Sequence, residues 1–180
     1  MHVGTGRGAG QVCSTGQTAH HVQVLSSLIE SPLMGWEVDL VTPYPRQVYS
    51  GMLAGWIAGH YSLEACTLPV ADLARRARVG LHLKNAIGLD LGRNEVYCAD
   101  GATQSFDLLS INTGPEPVSA DLPGAAEHAL ALRPIETFVD VWPSLLDRML
   151  KATARFDLVI VGAGAAGVEL AFAIRHRIGD

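Results

Sequence analysis

The sequence predicts an α/β fold. Strand-like and helix-like patterns alternate along its 180 residues. The stretch DLVIVGAGAAGVELAFAI, Asp157 to Ile174, reads as an apolar strand, a glycine turn and the first turns of a helix. The composition, 48% hydrophobic and 17% charged, suits a chain that buries a core.

The elements follow in order. The first eighteen residues, MHVGTGRGAGQVCSTGQT, are glycine-rich and show no clear period. His20 to Ile29 places Val22, Leu25, Leu28 and Ile29 at helical spacing, and Pro32 and Gly35 end that helix. Trp36 to Val41 alternates as a strand does. TPYPRQ is a loop. SGMLAGWIAGHYS is apolar but rich in glycine, so it suits a short packed helix or a close-approach segment. PVADLARRA reads as a helix with Pro69 in its first turn. A β-rich stretch then runs through LHLKNAIGLDL, the turn Gly92–Arg93–Asn94, EVYCA, the turn Asp100–Gly101 and SFDLLSINTG. It predicts a small meander whose last strand, LLSIN, returns to a buried sheet. PEPVSADLPGA is a proline-rich loop. RPIETFVDVWPSLLDRMLKA is helical by period, and Pro143 is expected to kink or split it.

Composition and charge exclude several classes. The formal net charge is −5 and no basic run occurs, so nucleic acid is not an expected partner. Cys13, Cys66 and Cys98 lie far apart and form no C-x-x-C, so neither a metal knuckle nor a close redox pair is written here. No metal site is expected, and no catalytic side chain declares itself. No segment approaches the roughly 18 consecutive apolar residues of a membrane span. The N-terminus lacks the apolar core of a signal peptide. The expected location is the cytoplasm, with peripheral membrane association left open.

Gly162, Gly164 and Gly167 fit G-x-G-x-x-G directly after the apolar run Leu158–Val161. The first glycine permits a tight turn, the second lets a pyrophosphate approach the backbone, and the third lets helix and strand pack closely. The helix N-terminus then faces the phosphates with unpaired N–H groups. The acidic residue that would hold the ribose lies about 20 residues further on in such units. The chain ends before that point, so the unit is expected to be the truncated start of a longer enzyme or to be completed by a partner chain. Near the N-terminus, Gly4, Gly6 and Ala9 formally fit G-x-G-x-x-A, but too few residues precede them for a buried strand. TGQTAHHVQVL, with Gly16 as the surviving glycine, is a second reading of the first turn. A flexible glycine-rich tail is a third.

Taken in order, HVQVL, YSGMLAGWIAGHYS, FDLLSINTGPEP, PGAAEHALALRPIETF and VIVGAGAAGVELAFAI resemble the FAD-dependent pyridine nucleotide-disulfide oxidoreductases. The nearest branch is the type II NADH dehydrogenase-like one, including the flavoprotein domain fused to selenide, water dikinase. The resemblance covers about residues 20–180. It implies a Rossmann-like fold of two dinucleotide-binding domains, incomplete at the C-terminus. Residues 1–150 would be the FAD-binding domain with its meander and linker, and 155–180 the start of the NAD(P)-binding one. It implies FAD and NAD(P)H as cofactors and electron transfer to a quinone or other acceptor. The alternative is a catalytically silent nucleotide-binding or interaction fragment.

The resemblance places Thr113 and Gly114 near the flavin nucleotide, and Tyr49 and Ser50, in YSGML, near the isoalloxazine. Gly162, Gly164 and Gly167 would hold the NAD(P)H pyrophosphate, with Glu169 on the nicotinamide side. Three departures stand out. The family's later glycine–aspartate FAD motif is missing, the first block lacks a recognisable strand, and Thr42–Pro43 stands where an acidic residue often binds the ribose. Each lowers the expected retention of FAD. Beside these candidates, His20 and His21 are expected to be solvated and His60 half-buried, while Cys66, Trp36, Trp56 and Trp142 are expected to pack. The apolar stripe Val168, Leu170, Ala171, Phe172 and Ile174 is expected to lack a sheet to cover it. Self-association through residues 157–178 is expected to follow.

Overall fold

The computed structural model describes residues 10–16, 19–114 and 122–179. The stretch Val3 to Ala9 and the loop residues 115–121 lie outside these. The chain divides into two compact units. The first gathers Met1–Gln47 with Leu68–Gly114, and the second Val48–Thr67 with Pro115–Asp180.

The first unit is a four-stranded parallel sheet with cover on both faces. Strand β1 (Gly10–Gly16) leads to helix α1 (Ala19–Glu30) and strand β2 (Trp36–Thr42). Short β3 (Gln47–Val48) comes next, then helix α2 (Leu53–Ala58), which belongs to the second unit, then β4 (Thr67–Leu68), helix α3 (Val70–Ala77) and β5 (Gly80–Leu83). The antiparallel meander is β6 (Ala86–Asp90), β7 (Glu95–Cys98) and β8 (Thr103–Ser105), and β9 (Leu108–Asn112) returns to the sheet. The sheet order is β5-β2-β1-β9, and its neighbouring strands pair in parallel.

The alternation of β2 sorts its side chains between the two covers. Val38 and Leu40 pack with Leu25 and Leu28 of α1 and Ala74 and Ala77 of α3. Val41 turns the other way, onto Val96, Cys98 and Phe106 of the meander region. Burial of such side chains contributes about 1.5–3 kcal/mol each.

Strand β1 is a correction to the sequence reading, which found none before the first helix. GQVCSTG has little apolar content, so its pattern is weak. It pairs on both sides, with β2 from Gly10↔Trp36 to Thr15↔Val41 and with β9 from Val12↔Leu108 to Gly16↔Asn112. Backbone bonding to two partners substitutes for side-chain alternation.

The second unit has an apolar centre built from helices. Helix α4 (Ala125–His128) is short, α5 runs Ile135–Lys151 and α6 runs Ala165–Ile178. Leu53 and Ile57 of α2, Phe138, Val139 and Trp142 of α5, and Ala173 and Ile174 of α6 share one buried cluster with Val48 and Cys66. Phe138 and Trp142 stack with ring centres 5.7 Å apart. Pro143 neither splits nor ends α5, which runs through it unbroken. Gly59 closes α2 in the left-handed conformation at φ 85°, and a Cβ there would overlap the guanidinium of Arg177. Glycine thus lets the C-terminal end of α6 lie against the end of α2.

Two expectations for this unit are corrected. Leu158–Val161 is not paired as a strand, although its exposures of 39, 79, 37 and 78% alternate as in extended chain. The stripe on α6 is divided rather than wholly bare. Ile174 is 7% exposed in the cluster and Leu170 packs against it, while Phe172 is 73% exposed. Among the described residues, no helix is long and apolar enough to cross a membrane.

Candidate functional site

The carboxyl ends of parallel strands form the ligand edge of an open α/β sheet, at the point where strand order reverses. In the first unit that point is the gap between β1 and β9. The chain leaves β1 through α1 towards β2 on one side, while β9 lies on the other. Gly16 and Asn112 are opposite each other at this edge. Thr113, exposed, and Gly114, in the left-handed region at φ 77°, follow directly. The structure therefore sets Thr113 and Gly114 beside the end of β1.

His21, in the first turn of α1, is 7% exposed and its Nε2 lies 3.0 Å from Ser110 Oγ on β9. The expectation of a solvated histidine is corrected. The ring is buried, with the Ser110 hydroxyl on β9 at hydrogen-bond distance. Asn112, two residues beyond Ser110, has its Nδ2 buried without a hydrogen-bond partner among the described residues. At the end of β2, Thr42 is 4% exposed and its hydroxyl oxygen accepts the Tyr44 N–H at 3.4 Å.

The second unit holds the other glycine turn. Gly162 has φ 115°, which L side chains rarely adopt. Gly164 is the N-cap of α6, and nothing lies within 4 Å of where its Cβ would be. Gly167 is the third residue of α6, and a Cβ there would overlap the carbonyl oxygen of Gly162. Among the described residues no side chain caps α6 and no acidic residue stands in its first turn. Its leading N–H groups are therefore available to an anion. Glu169 is exposed on α6. Tyr49, 43% exposed, and Ser50, exposed, precede α2 in this same unit, with Ser50 opening a single turn of 3₁₀ helix to Met52.

Other polar groups serve the frame. Asp39 on β2 accepts Gln11 Nε2 and Gln104 Nε2 on Oδ2, each at 3.1 Å, and its Oδ1 lies 2.8 Å from His82 Nε2. A Cβ on Gly80 would overlap that carboxylate. Cys66 is 1% exposed, and burial pushes its thiol pKa up, which agrees with packing. Trp142 packs at 3% exposed, whereas Trp36 is 43% exposed and His60 lies at the surface, its ring 4.9 Å from that of His176.

Sequence reasoning missed β1, Asn112 and the Asp39 cluster, and it singled out His21 but expected it to be solvated. The available signal for the cluster was Asp39 at mid-strand between the apolar Val38 and Leu40, a carboxylate that requires polar partners when it is covered.

The fit to two nucleotides can be tested on these features. A partnerless buried donor stands at the first edge, and an uncapped helix behind a glycine cradle stands at the second. Both suit acceptor-rich phosphates.

The family model for pyridine nucleotide-disulphide oxidoreductases matches residues 4–180. The external alternative NAD(P)H-ubiquinone oxidoreductase B3 of Arabidopsis thaliana mitochondria is 23% identical over 167 residues, covering 81% of this chain and 29% of that protein. The demethylphylloquinone reductase NdbB of Synechocystis is 24% identical over 148 residues, covering 80% and 37%. The chain thus spans about a third of the length of these relatives. Among solved structures, the water-forming NADH oxidase of Lactobacillus brevis, bound to NADH, superposes with a TM-score of 0.73 at 18% identity, covering 93% and 38%. The fold and the match of nearly the whole sequence agree, and the chain belongs to the pyridine nucleotide-disulphide oxidoreductase family.

Proposed function

We propose that this chain supplies the flavin edge and the opening nicotinamide-nucleotide turn of an FAD-dependent NAD(P)H oxidoreductase, with a quinone or a similar acceptor as the electron sink. The names of the curated relatives support the acceptor class. The observation that carries the reading is the turn at Gly162–Gly167. It combines a positive-φ glycine, an open position at Gly164 and an uncapped helix. A Cβ at Gly164 would meet no atom of the described residues within 4 Å, so the open space suits a ligand.

In this reading Thr113 and Gly114 hold the flavin nucleotide at the β1/β9 edge, and Tyr49 and Ser50 serve the isoalloxazine. Gly164 and the first N–H groups of α6 hold the pyrophosphate of NAD(P)H, and Glu169 orients the nicotinamide end. As sequence segments, residues 1–150 serve the flavin and residues 155–180 the nicotinamide nucleotide. Bound FAD would supply hydride acceptance from NAD(P)H and onward electron delivery, chemistry that belongs to the cofactor. The protein's residues bind, orient and exclude water. We place this work in the cytoplasm, with self-association as its partner state.

The test is a titration of NADH and NADPH into the purified chain and its Gly164→Val variant, followed by calorimetry. The variant is expected to keep its fold and to bind at least about tenfold more weakly, a change of about 1.4 kcal/mol. Equal affinity in both proteins would overturn the assignment of the turn.

A further inference from the structure

We propose that the side-chain amide of Asn112 is a ligand-directed donor, kept for a phosphate oxygen of the dinucleotide at the carboxyl edge of the first unit's sheet. This rests on the reading of that edge as a nucleotide site. Among the described residues, Asn112 Nδ2 is a buried side-chain donor without a partner. Buried donors are nearly always paired, so an unpaired one requires an explanation. Its position gives one. Leu109 packs against the meander cluster, while Ser110 lies at hydrogen-bond distance from His21 on α1. Strand alternation therefore sets Asn112 on the face that carries Ser110, towards α1. The residue opposite it in β1 is Gly16, which has no side chain to accept the bond. Gly114 then turns the chain at φ 77°.

The donor thus stands at the edge where the strand order reverses, on the side of a 12-residue helix whose first turn holds no acidic residue. An amide N–H offers nothing to a cation and pairs with an acceptor. A phosphate oxygen is the strongest acceptor that a dinucleotide brings.

Asn112→Leu removes the donor at similar size, and Asn112→Asp replaces it with a carboxylate that repels phosphate. Titrations of FAD, ADP and adenosine are compared with the melting temperature of the ligand-free proteins. The Leu variant is expected to melt no lower than the wild type without ligand, because no bond is lost. It is expected to bind FAD and ADP on the order of tenfold more weakly. The Asp variant should lose more, and adenosine binding should be unchanged by either. Variants that bind FAD and ADP as the wild type does would overturn the inference while leaving the edge a nucleotide site. A Leu variant that melts lower at unchanged affinity would make Asn112 a structural donor and overturn it equally. An equal loss for adenosine would move the contact off the phosphate. A wild type that binds neither FAD nor ADP would overturn the site reading itself, and this inference with it.

Discussion

The two units position their candidate ligand edges by different means. In the first, the edge lies at the end of β1, a strand paired on both sides in a four-stranded sheet, and the Asp39 cluster ties β1, β2, β5 and β8 together. In the second, the segment before the turn has the sequence of a buried strand yet lies unpaired, and the turn is positioned from behind, by α6 docking on α2 and α5. A strand needs neighbours to supply its hydrogen bonds, whereas a helix satisfies its own backbone and needs a single apolar face to dock. Both units bury apolar clusters; the first adds backbone pairing and polar ties around its ligand edge, whereas the second positions its turn through side-chain burial alone.

The largest expected effect isolates that burial. Ile174→Ala should destabilise the protein by about 2–5 kcal/mol, the range for emptying a packed core position. Phe172→Ala, on the same helix but 73% exposed, should stay within about 0.5 kcal/mol. Urea denaturation of both variants checks this. Equal losses would mean that α6 is not anchored through its buried face.

The first unit's polar ties come next. Asp39→Ala leaves Gln11, Gln104 and His82 without their shared acceptor, and is expected to cost about 1–2 kcal/mol, at the low end because these side chains keep some access to water. Gln104→Ala should cost less than half of that, since Asp39 keeps two partners. If Asp39→Ala proves neutral by the same denaturation assay, the cluster does not hold the meander to the sheet.

A smaller effect compares two glycines of one turn. Gly167→Ala forces a Cβ into the Gly162 carbonyl, at about 1–3 kcal/mol, and regains about 1 kcal/mol of helix propensity. The expected net loss is about 1 kcal/mol. Gly164→Ala meets no atom of the described residues within 4 Å and its φ of −70° suits any residue, so its stability should be unchanged. A thermal melt in which Gly164→Ala is the more damaging of the two would reverse the geometry described for the turn.

The sequence disclosed most where the signal was local. The periods of α1, α3 and α5, the meander turns at Asn94 and Gly101, and the start of α6 behind Gly164 all depend on residues near one another in the chain. The reading failed where distant partners decide. GQVCSTG becomes a strand because β2 and β9 flank it, and LVIV does not because nothing described here pairs with it. The candidate site divides the same way. The glycines at 162, 164 and 167 announced themselves by spacing. Asn112 and His21 acquire meaning through Gly16 and Ser110, which folding alone brings beside them.

The smallest expected effect is electrostatic and belongs to the first unit alone. Lys84 Nζ lies 2.9 Å from Asp100 Oδ2 at the turn between β7 and β8. The hydrogen bond from Lys84, aided by the Ala102 N–H, holds the Asp100 carboxyl below its usual pKa. A carboxyl lowered on folding contributes stability above its unfolded value of about 4, and that contribution disappears as pH falls through the lowered folded value. Asp100→Asn should therefore lower the urea midpoint at pH 7, and the difference from wild type should shrink as pH falls below about 4. Both side chains are partly exposed, at 33% and 50%, so salt should shrink the difference as well. The second unit's cluster holds no such pair, so the Ile174→Ala loss should persist at high salt. A difference for Asp100→Asn that grows towards low pH, or one that salt leaves intact, would remove this pair from the polar ties that set the first unit apart.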